Sequence, residues 1–192
     1  MTNNEANNIF AGSQAAQISS ESIGSSHYDL SRRIFQQCTI AVITALPLEL
    51  AAVRAVFKCK QTHTAPSGQT YYITHIPSCD SGVHTVAITL LTSMGTNPAA
   101  GTTVRILADL PMVQVVVMIG IAGAIPCPIS PEKHVRLGDV VVPDDKGTIQ
   151  FDFGKQEVES KFEYRGSNIR PYALFVRAVR ILQSDMELGE FS

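Results

Sequence analysis

A single acidic residue lies where a helix is predicted to begin, directly after a short apolar strand. The segment is Thr44-Ala45-Leu46-Pro47-Leu48-Glu49, which places Glu49 in the first helical turn. The free N–H groups of a first turn stabilise a negative charge by a few tenths to about 1 kcal/mol. A carboxylate held there can activate a water molecule, so Glu49 is the candidate catalytic base. An ordinary first-turn glutamate gives the same pattern, and that interpretation stays open.

A second segment, Leu91 to Pro98, joins a predicted strand to a predicted helix. Its candidate substrate-binding residues are Ser93, Met94 and Gly95. Glycine allows a ligand to approach the backbone, and the first N–H groups of the helix are free to bind an anion or a sugar hydroxyl. A plain strand-to-helix turn with an asparagine cap is the structural alternative.

The third segment, Met118 to Pro126, runs from an apolar strand into small residues that leave space for a flat ring. Ala122 and Gly123 are its candidate substrate-binding residues, and glycines that serve only strand-end packing are the alternative. A dinucleotide-binding fingerprint is excluded because the glycine spacing is incomplete and Pro126 stands where the helix should start.

The elements that must position these residues follow from the apolar pattern. Strands are predicted at 39–43, 71–76, 85–91, 113–119, 138–142 and 149–153, and helices from Pro47, over 97–110 and from Pro171. Residues 71–91 form a hairpin, so the central sheet is mixed within a three-layer αβα architecture. The near-continuous apolar run 113–119 predicts a mid-sheet strand covered on both faces. Helix 97–110 is predicted to bury Val104, Leu107 and Leu110.

Composition narrows the classes of function. With 17% charged residues and a net charge of −2, the chain has no basic surface for nucleic acid or an anionic membrane. No apolar run reaches the ~18–20 residues that span a bilayer. The four cysteines and five histidines are isolated in sequence, so we predict reduced thiols, a cytoplasmic location, no metal and no cofactor. Residues 1–37 are predicted to be a flexible leader, and 38–192 the domain.

Taken together, these segments resemble the purine/uridine phosphorylase and 5′-methylthioadenosine/S-adenosylhomocysteine nucleosidase superfamily. The likeness is closest to the N-terminal phosphorylase-like domains of fungal receptor proteins with NACHT and ankyrin or tetratricopeptide parts. The residues that carry it are AVITALPLELAAVRA (41–55), SMGTNPAA (93–100), MIGIAGAIP (118–126), HVRLGDVVVP (134–143) and IQFDFGK (149–155).

The resemblance implies a purine nucleoside as ligand and cleavage of its N-glycosidic bond. It places Glu49 at the glutamate that activates the attacking water, and Met94–Gly95 in the loop beside the ribose. Ala122–Gly123 fall in the stretch against the base and sugar. Phe153 falls near an aromatic residue that reaches the neighbouring subunit's site in nucleosidase dimers, so a homo-oligomer is compatible with the sequence.

The positions at which this sequence departs from the family pattern indicate which nucleophile to expect. Bacterial purine phosphorylases hold phosphate with arginines, whereas Glu49, Met118 and Ile121 stand at the corresponding places. Because methionine cannot replace an arginine clamp, water is the expected nucleophile.

The family's aspartate acid and ribose-binding Met-Glu pair are expected beyond residue 192, and residues 185–188 match that pair in letters only. We therefore expect a truncated domain of little activity. A non-catalytic nucleoside-sensing or signalling module of a larger receptor-type protein is the main alternative, and a degraded product without function the weaker one.

Overall fold

A computed structural model of the chain describes residues 29–78, 81–130, 134–148, 153–156, 162–164, 166 and 169–189. The chain divides into two compact units, Met1–Ile121 and Ala122–Ser192. Each unit has its own secondary structure. Among the described residues, no helix has the length and apolar character needed to cross a membrane.

The first unit holds a mixed five-stranded sheet. Its elements are α1 (29–35), β1 (Cys38–Thr44), α2 (Pro47–Val56), β2 (Gln61–Thr64), β3 (Thr70–Pro77), β4 (Val83–Leu90), α3 (Thr96–Asp109) and β5 (Val115–Met118). The strand order is β2-β3-β4-β1-β5. β1 pairs in parallel with β4 and β5, while β3 pairs antiparallel with β2 and β4. The predicted hairpin and the mixed sheet are confirmed, and the short polar strand β2 was not predicted.

Helices cover both faces of this sheet. Since side chains alternate from face to face along a strand, each strand contributes residues to two separate cores. One core cluster joins α1 and α3 to one face and includes Phe35, Ala41, Ile43, Tyr71, Ile73 and Ile106. The other joins α2 to the opposite face and includes Val42, Leu50, Val53, Val86 and Ile88. Neighbouring β1 residues such as Ala41 and Val42 thus belong to opposite clusters. The predicted three-layer α/β arrangement is confirmed.

Within the described residues, the strand in 113–119 does not have the predicted mid-sheet position. β5 lies at the end of the strand order, and its side chains are partly buried or exposed. β1 occupies the interior instead, because the connection through α3 carries the chain from β4 past β1 to its other side. Apolar composition predicted a strand covered on both faces, but it does not encode which strands lie beside it.

The buried face of α3 also differs from the prediction. Val104 and Leu107 are 69% and 52% exposed, whereas Thr102 and Ile106 are buried together with Leu110, just past the helix end. The buried row follows helical spacing but begins with a threonine. Its hydroxyl made the position look polar, so the prediction followed the more apolar row beside it.

The predicted leader 1–37 overlaps this core. Residues 29–35 are helical, and Phe35 is packed edge-on against Tyr71 with ring centroids 5.6 Å apart. The Ser31 hydroxyl lies 2.9 Å from Nδ1 of His63 on β2. The packed part of the chain therefore starts before Cys38, while residues 1–28 lie outside the described residues.

The second unit contains a small antiparallel sheet, β6 (Gly154–Gln156) with β7 (Phe162–Tyr164), and the helix α4 (Ala173–Glu187). α4 begins two residues after Pro171, where a helix start was predicted. The predicted strand 138–142 is wrong, since this stretch is exposed and has no strand pairing. A turn stands there instead, in which Gly138 has a φ of +93° and Asp139 accepts the N–H of Arg136 at 2.8 Å. Residues 149–152 of the last predicted strand lie outside the described residues.

Two glycines of α3 should respond in opposite ways to alanine. Gly101 has an ordinary helical φ and open space around its missing side chain, so Gly101→Ala should raise the free energy of unfolding by about 0.4–1 kcal/mol. Gly95, the N-cap residue, has φ 127° and ψ 164°, which only glycine adopts without strain. Gly95→Ala should therefore lower it by about 1–3 kcal/mol. Urea unfolding followed by circular dichroism measures both, and the opposite order would show that α3 starts elsewhere.

Candidate functional site

The candidate site lies at the edge where three parallel strands end. In the sheet, β1 lies between β4 and β5, and all three run in one direction. The pairing continues past the strand ends, where the Leu91 N–H donates to the Thr44 carbonyl and the Ile119 N–H to the Ile43 carbonyl, at 2.9 and 3.0 Å. The turns that follow the three strands therefore leave the sheet side by side. α2 and α3 cover opposite faces here, which makes this edge a switch point of the kind where α/β sheets bind ligands.

The carboxylate of Glu49 joins two of these turns. Its Oε2 accepts the N–H groups of Ala45 and Leu46, both at 2.9 Å. Its Oε1 accepts the N–H of Ile121 at 2.8 Å. Glu49 is buried, so these backbone groups take the place of water around the charge. One side chain thus holds the turn after β1 to the turn after β5.

Local sequence explains how the glutamate reaches both turns. Leu46 is the N-cap of α2 and Pro47 its first residue, which puts Glu49 at the third helical position. A glutamate there folds back onto the N-cap N–H as in half of a capping box. Leucine has no side-chain oxygen to accept the Glu49 N–H in return. The carboxylate uses Oε2 for the turn before α2 and Oε1 for the N–H of Ile121.

Gly120 is the residue that sequence reasoning missed. A Cβ at this position would lie 2.9 Å from Oε1 and 3.2 Å from Cδ of Glu49. The space left by this glycine is filled by the carboxylate rather than by a ligand. The sequence did contain a signal for this contact. It combines a glycine just past the end of one parallel strand with an acidic residue in the first helical turn after the neighbouring parallel strand.

The same three hydrogen bonds set the charge state of the site. The pKa of Glu49 lies below its ordinary value, chiefly because Ile121 donates its N–H to the carboxylate, while burial opposes the shift and the N–H groups of Leu46 and Ala45 add to it. A carboxylate has about four lone-pair positions, of which three are engaged here. Glu49 is therefore a fixed negative charge with roughly one position left to orient a water molecule or a hydroxyl.

The predicted residues Ser93, Met94 and Gly95 lie on the same edge as Glu49. They follow β4, which pairs with β1, and all three are exposed, Met94 by 68%. Gly95 starts α3 and accepts the Ala99 N–H at 3.1 Å. The structure thus brings a fixed carboxylate and an exposed loop to neighbouring strand ends.

The other predicted binding residues belong to the second unit. Ala122 and Gly123 are exposed, and nothing approaches the position of a Gly123 side chain. Phe153 is 54% exposed, and its ring lies against Gly166. The roles of these three residues stay predictions. Among the described residues, no group of three acidic, cysteine or histidine side chains is placed to hold a metal ion.

Comparison with known proteins identifies the family of the chain. The sequence model of the Phosphorylase superfamily matches residues 39–187. The chain belongs to the phosphorylase superfamily. The expected kinship with nucleoside phosphorylases and nucleosidases is thereby confirmed, and with it nucleoside phosphorylase/nucleosidase-type activity as the general functional class. The likeness to receptor-type domains stays a prediction. No curated protein matches the chain significantly.

The contact between Glu49 and Gly120 in this phosphorylase-superfamily chain can be tested with a double-mutant cycle. Gly120→Ala should lower the free energy of unfolding by about 1–3 kcal/mol, because its Cβ would overlap the carboxylate. In the Glu49→Ala background the same substitution should cost less, with a coupling energy of about 0.5–3 kcal/mol. Urea unfolding of the four proteins gives the cycle.

Gly123→Ala is the matched control, since its side chain would meet open space. It should leave stability within about 0.5 kcal/mol of the parent. An equal cost of Gly120→Ala in both backgrounds would show that the carboxylate does not occupy this space.

The lowered pKa of Glu49 makes stability depend on pH in one direction. Because the folded pKa lies below the unfolded value of about 4.3, the stabilisation is complete above that value and is lost as pH falls through the folded pKa. Glu49→Gln should therefore reduce the melting temperature at about pH 7, and this difference should shrink towards about pH 3. Glu187→Gln, the same change at an exposed position, is the control. A melting difference that is constant across this range would contradict the assignment.

Proposed function

We propose that this protein binds a purine nucleoside and cleaves its N-glycosidic bond with water as the nucleophile. The observation that carries the proposal is the Glu49 carboxylate, which occupies the N–H groups of Ala45, Leu46 and Ile121. Those groups belong to the turns after β1 and β5, at the edge of the sheet where a substrate is expected.

The occupied N–H groups argue against phosphate as a co-substrate. A strand-to-helix turn binds phosphate with free backbone N–H groups, but here a side-chain anion already accepts them. A phosphate brought to this turn would also meet a like charge. The strand-end segments 44–49, 91–97 and 119–123 contain neither arginine nor lysine, so they supply no cation to offset that repulsion. Neutral water faces none of these costs.

A weak base is sufficient for such a reaction. Cleavage of a glycosidic bond passes through a sugar with oxocarbenium character, and a water molecule that attacks this cation needs orientation more than early proton removal. The remaining lone pair of Glu49 can accept a hydrogen bond from that water. The fixed negative charge also stabilises positive charge that develops on the sugar.

Purine specificity rests on the resemblance. We assign Met94–Gly95 to the ribose, and the roles of Ala122, Gly123 and Phe153 rest on the resemblance alone. Glu49 is ionised and cannot protonate a leaving purine, and loss of such an acid costs about 10²–10⁴-fold in rate. The proposed reaction therefore needs a second group that acts as the acid.

A non-catalytic nucleoside-sensing module within a larger receptor-type protein is the second candidate. The three hydrogen bonds of Glu49 support it, because they also suit a residue whose only function is to hold the two strand-end turns in place. For either function we infer a cytoplasmic location and no nucleic-acid or membrane partner, on the basis of the near-neutral charge and the free thiols of Cys38, Cys59 and Cys127.

The decisive experiment compares water and phosphate as nucleophiles. The protein is titrated with purine and pyrimidine nucleosides by calorimetry, and turnover of the same nucleosides is measured with and without phosphate. We expect preferential purine nucleoside binding, and release of free purine and ribose at a rate independent of phosphate. Ribose 1-phosphate formed in strict dependence on phosphate would refute hydrolysis, and binding without any turnover would favour the sensing module.

Glu49→Gln tests the role of the carboxylate in the same assay. The change keeps the shape but removes the charge and should lower kcat at least about 10²-fold. Glu187→Gln is the control and should leave the rate unchanged. An unaltered rate in Glu49→Gln, with the fold intact by circular dichroism, would show that another group orients the water.

A further inference from the structure

The turn between β2 and β3, residues 65–69, is a tight loop held by its own backbone. The Ala65 N–H donates to the Gln69 carbonyl at 2.8 Å, and the Gly68 N–H donates to the Ala65 carbonyl at 2.9 Å. Gly68 has a φ of +83°, the left-handed conformation that a hairpin loop of this length needs. The turn is therefore a fixed support for the elements that its side chains contact.

Gln69 joins this turn to the end of β4. Its Nε2 donates to Oγ1 of Thr89 and, at 3.5 Å, to the carbonyl of Leu90. The Thr89 hydroxyl gives its one proton to the Thr70 carbonyl at 2.8 Å, so it accepts from Gln69. Both partners are acceptors, which fixes the amide nitrogen towards β4. Since Thr89 is buried, water has little access to take the place of this donor.

Ser67 joins the same turn to the end of α3. Its hydroxyl donates to Oδ2 of Asp109 at 2.6 Å, and the Tyr71 hydroxyl donates to the same oxygen at 2.8 Å. Asp109 is the last residue of α3, where the helix dipole disfavours a negative charge. The two hydroxyl donors offset this cost, so the end of the helix is tied to the β2–β3 hairpin.

These two contacts hold both ends of one segment. Residues 90–109 comprise the end of β4, the loop 92–95 and the whole of α3. Gln69 binds the first residue of this segment and Ser67 the last. All residues of the loop are exposed, and the proposed function assigns the ribose to it. The position of the loop relative to Glu49 therefore depends on the anchors on its two sides.

We propose that Gln69 is a positioning residue for nucleoside binding, because it holds the strand end from which the loop 92–95 leaves. The identity of the ligand rests on the proposed function. A loop that occupies its binding conformation for only part of the time lowers the affinity by that fraction. Glu49 and the turns that it joins keep their own hydrogen bonds without Gln69, so the chemical step should not change.

The test replaces the amide of Gln69 but keeps its size. Gln69→Met removes the donor and should raise the Kd and KM for adenosine or inosine about two- to tenfold, the usual effect of one hydrogen bond, with kcat unchanged. Thr89→Val removes the acceptor and should raise KM in the same way, whereas Thr89→Ser keeps the hydroxyl and should match the parent protein. Gln61→Met, the same change at an exposed position at the start of β2, is the control.

Hydrogen exchange followed by NMR gives a readout that needs no ligand. The Leu91 and Ala99 amides flank the loop and donate to the carbonyls of Thr44 and Gly95. Both should exchange about two- to tenfold faster in Gln69→Met, because the loop opens more often, while the amides of α2 should keep the parent rate.

Two results would overturn the proposal. One is a Gln69→Met protein in which the Leu91 and Ala99 amides exchange at the parent rate, and the other is a lower kcat at unchanged KM. A parent protein that binds no purine nucleoside would refute the proposed function instead, and the exchange rates would still decide whether Gln69 holds the loop.

Discussion

The start of α2 and the turn after β5 both depend on one buried carboxylate. Glu49 accepts N–H groups from two turns that are far apart in sequence, and Gly120 makes room for it. Because three backbone donors surround the charge, removal of either partner leaves polar groups unsatisfied in a buried place. The same interaction that closes the fold at this edge also decides which chemistry the edge allows, since it fills the place an incoming anion would use.

Because Glu49 has both a structural and a chemical role, it differs from a residue whose only function is catalysis. A base that acts by proton removal needs a raised or near-neutral pKa, whereas Glu49 has a lowered one. A residue that orients water and stabilises positive charge on a sugar benefits from permanent ionisation. The structural and the proposed chemical function of the carboxylate are therefore compatible.

Sequence patterns predicted which helices and strands form better than they predicted which elements lie beside one another. β1, α2, the β3–β4 hairpin and α3 were predicted because apolar spacing, Pro47 and the turn residues 77–82 each have a local physical cause. The interior position of β1 and the buried face of α3 depend on contacts between distant segments, which local spacing does not encode. Glu49 was found from its place in a helix turn. Its hydrogen bond to Ile121 was not predicted. A glycine such as Gly120 looks the same in the sequence whether a ligand or a side chain fills the space beside it.

The strand order also governs how the first unit is assembled on the ribosome. β1 emerges first, yet both of its neighbours, β4 and β5, are made much later. β3 and β4 are joined by a short turn and can pair as soon as they appear, so the hairpin offers the early template onto which β1 docks. Until then β1 is an apolar segment without a partner. Residues 45–90 must therefore be synthesised before β1 has a strand to pair with.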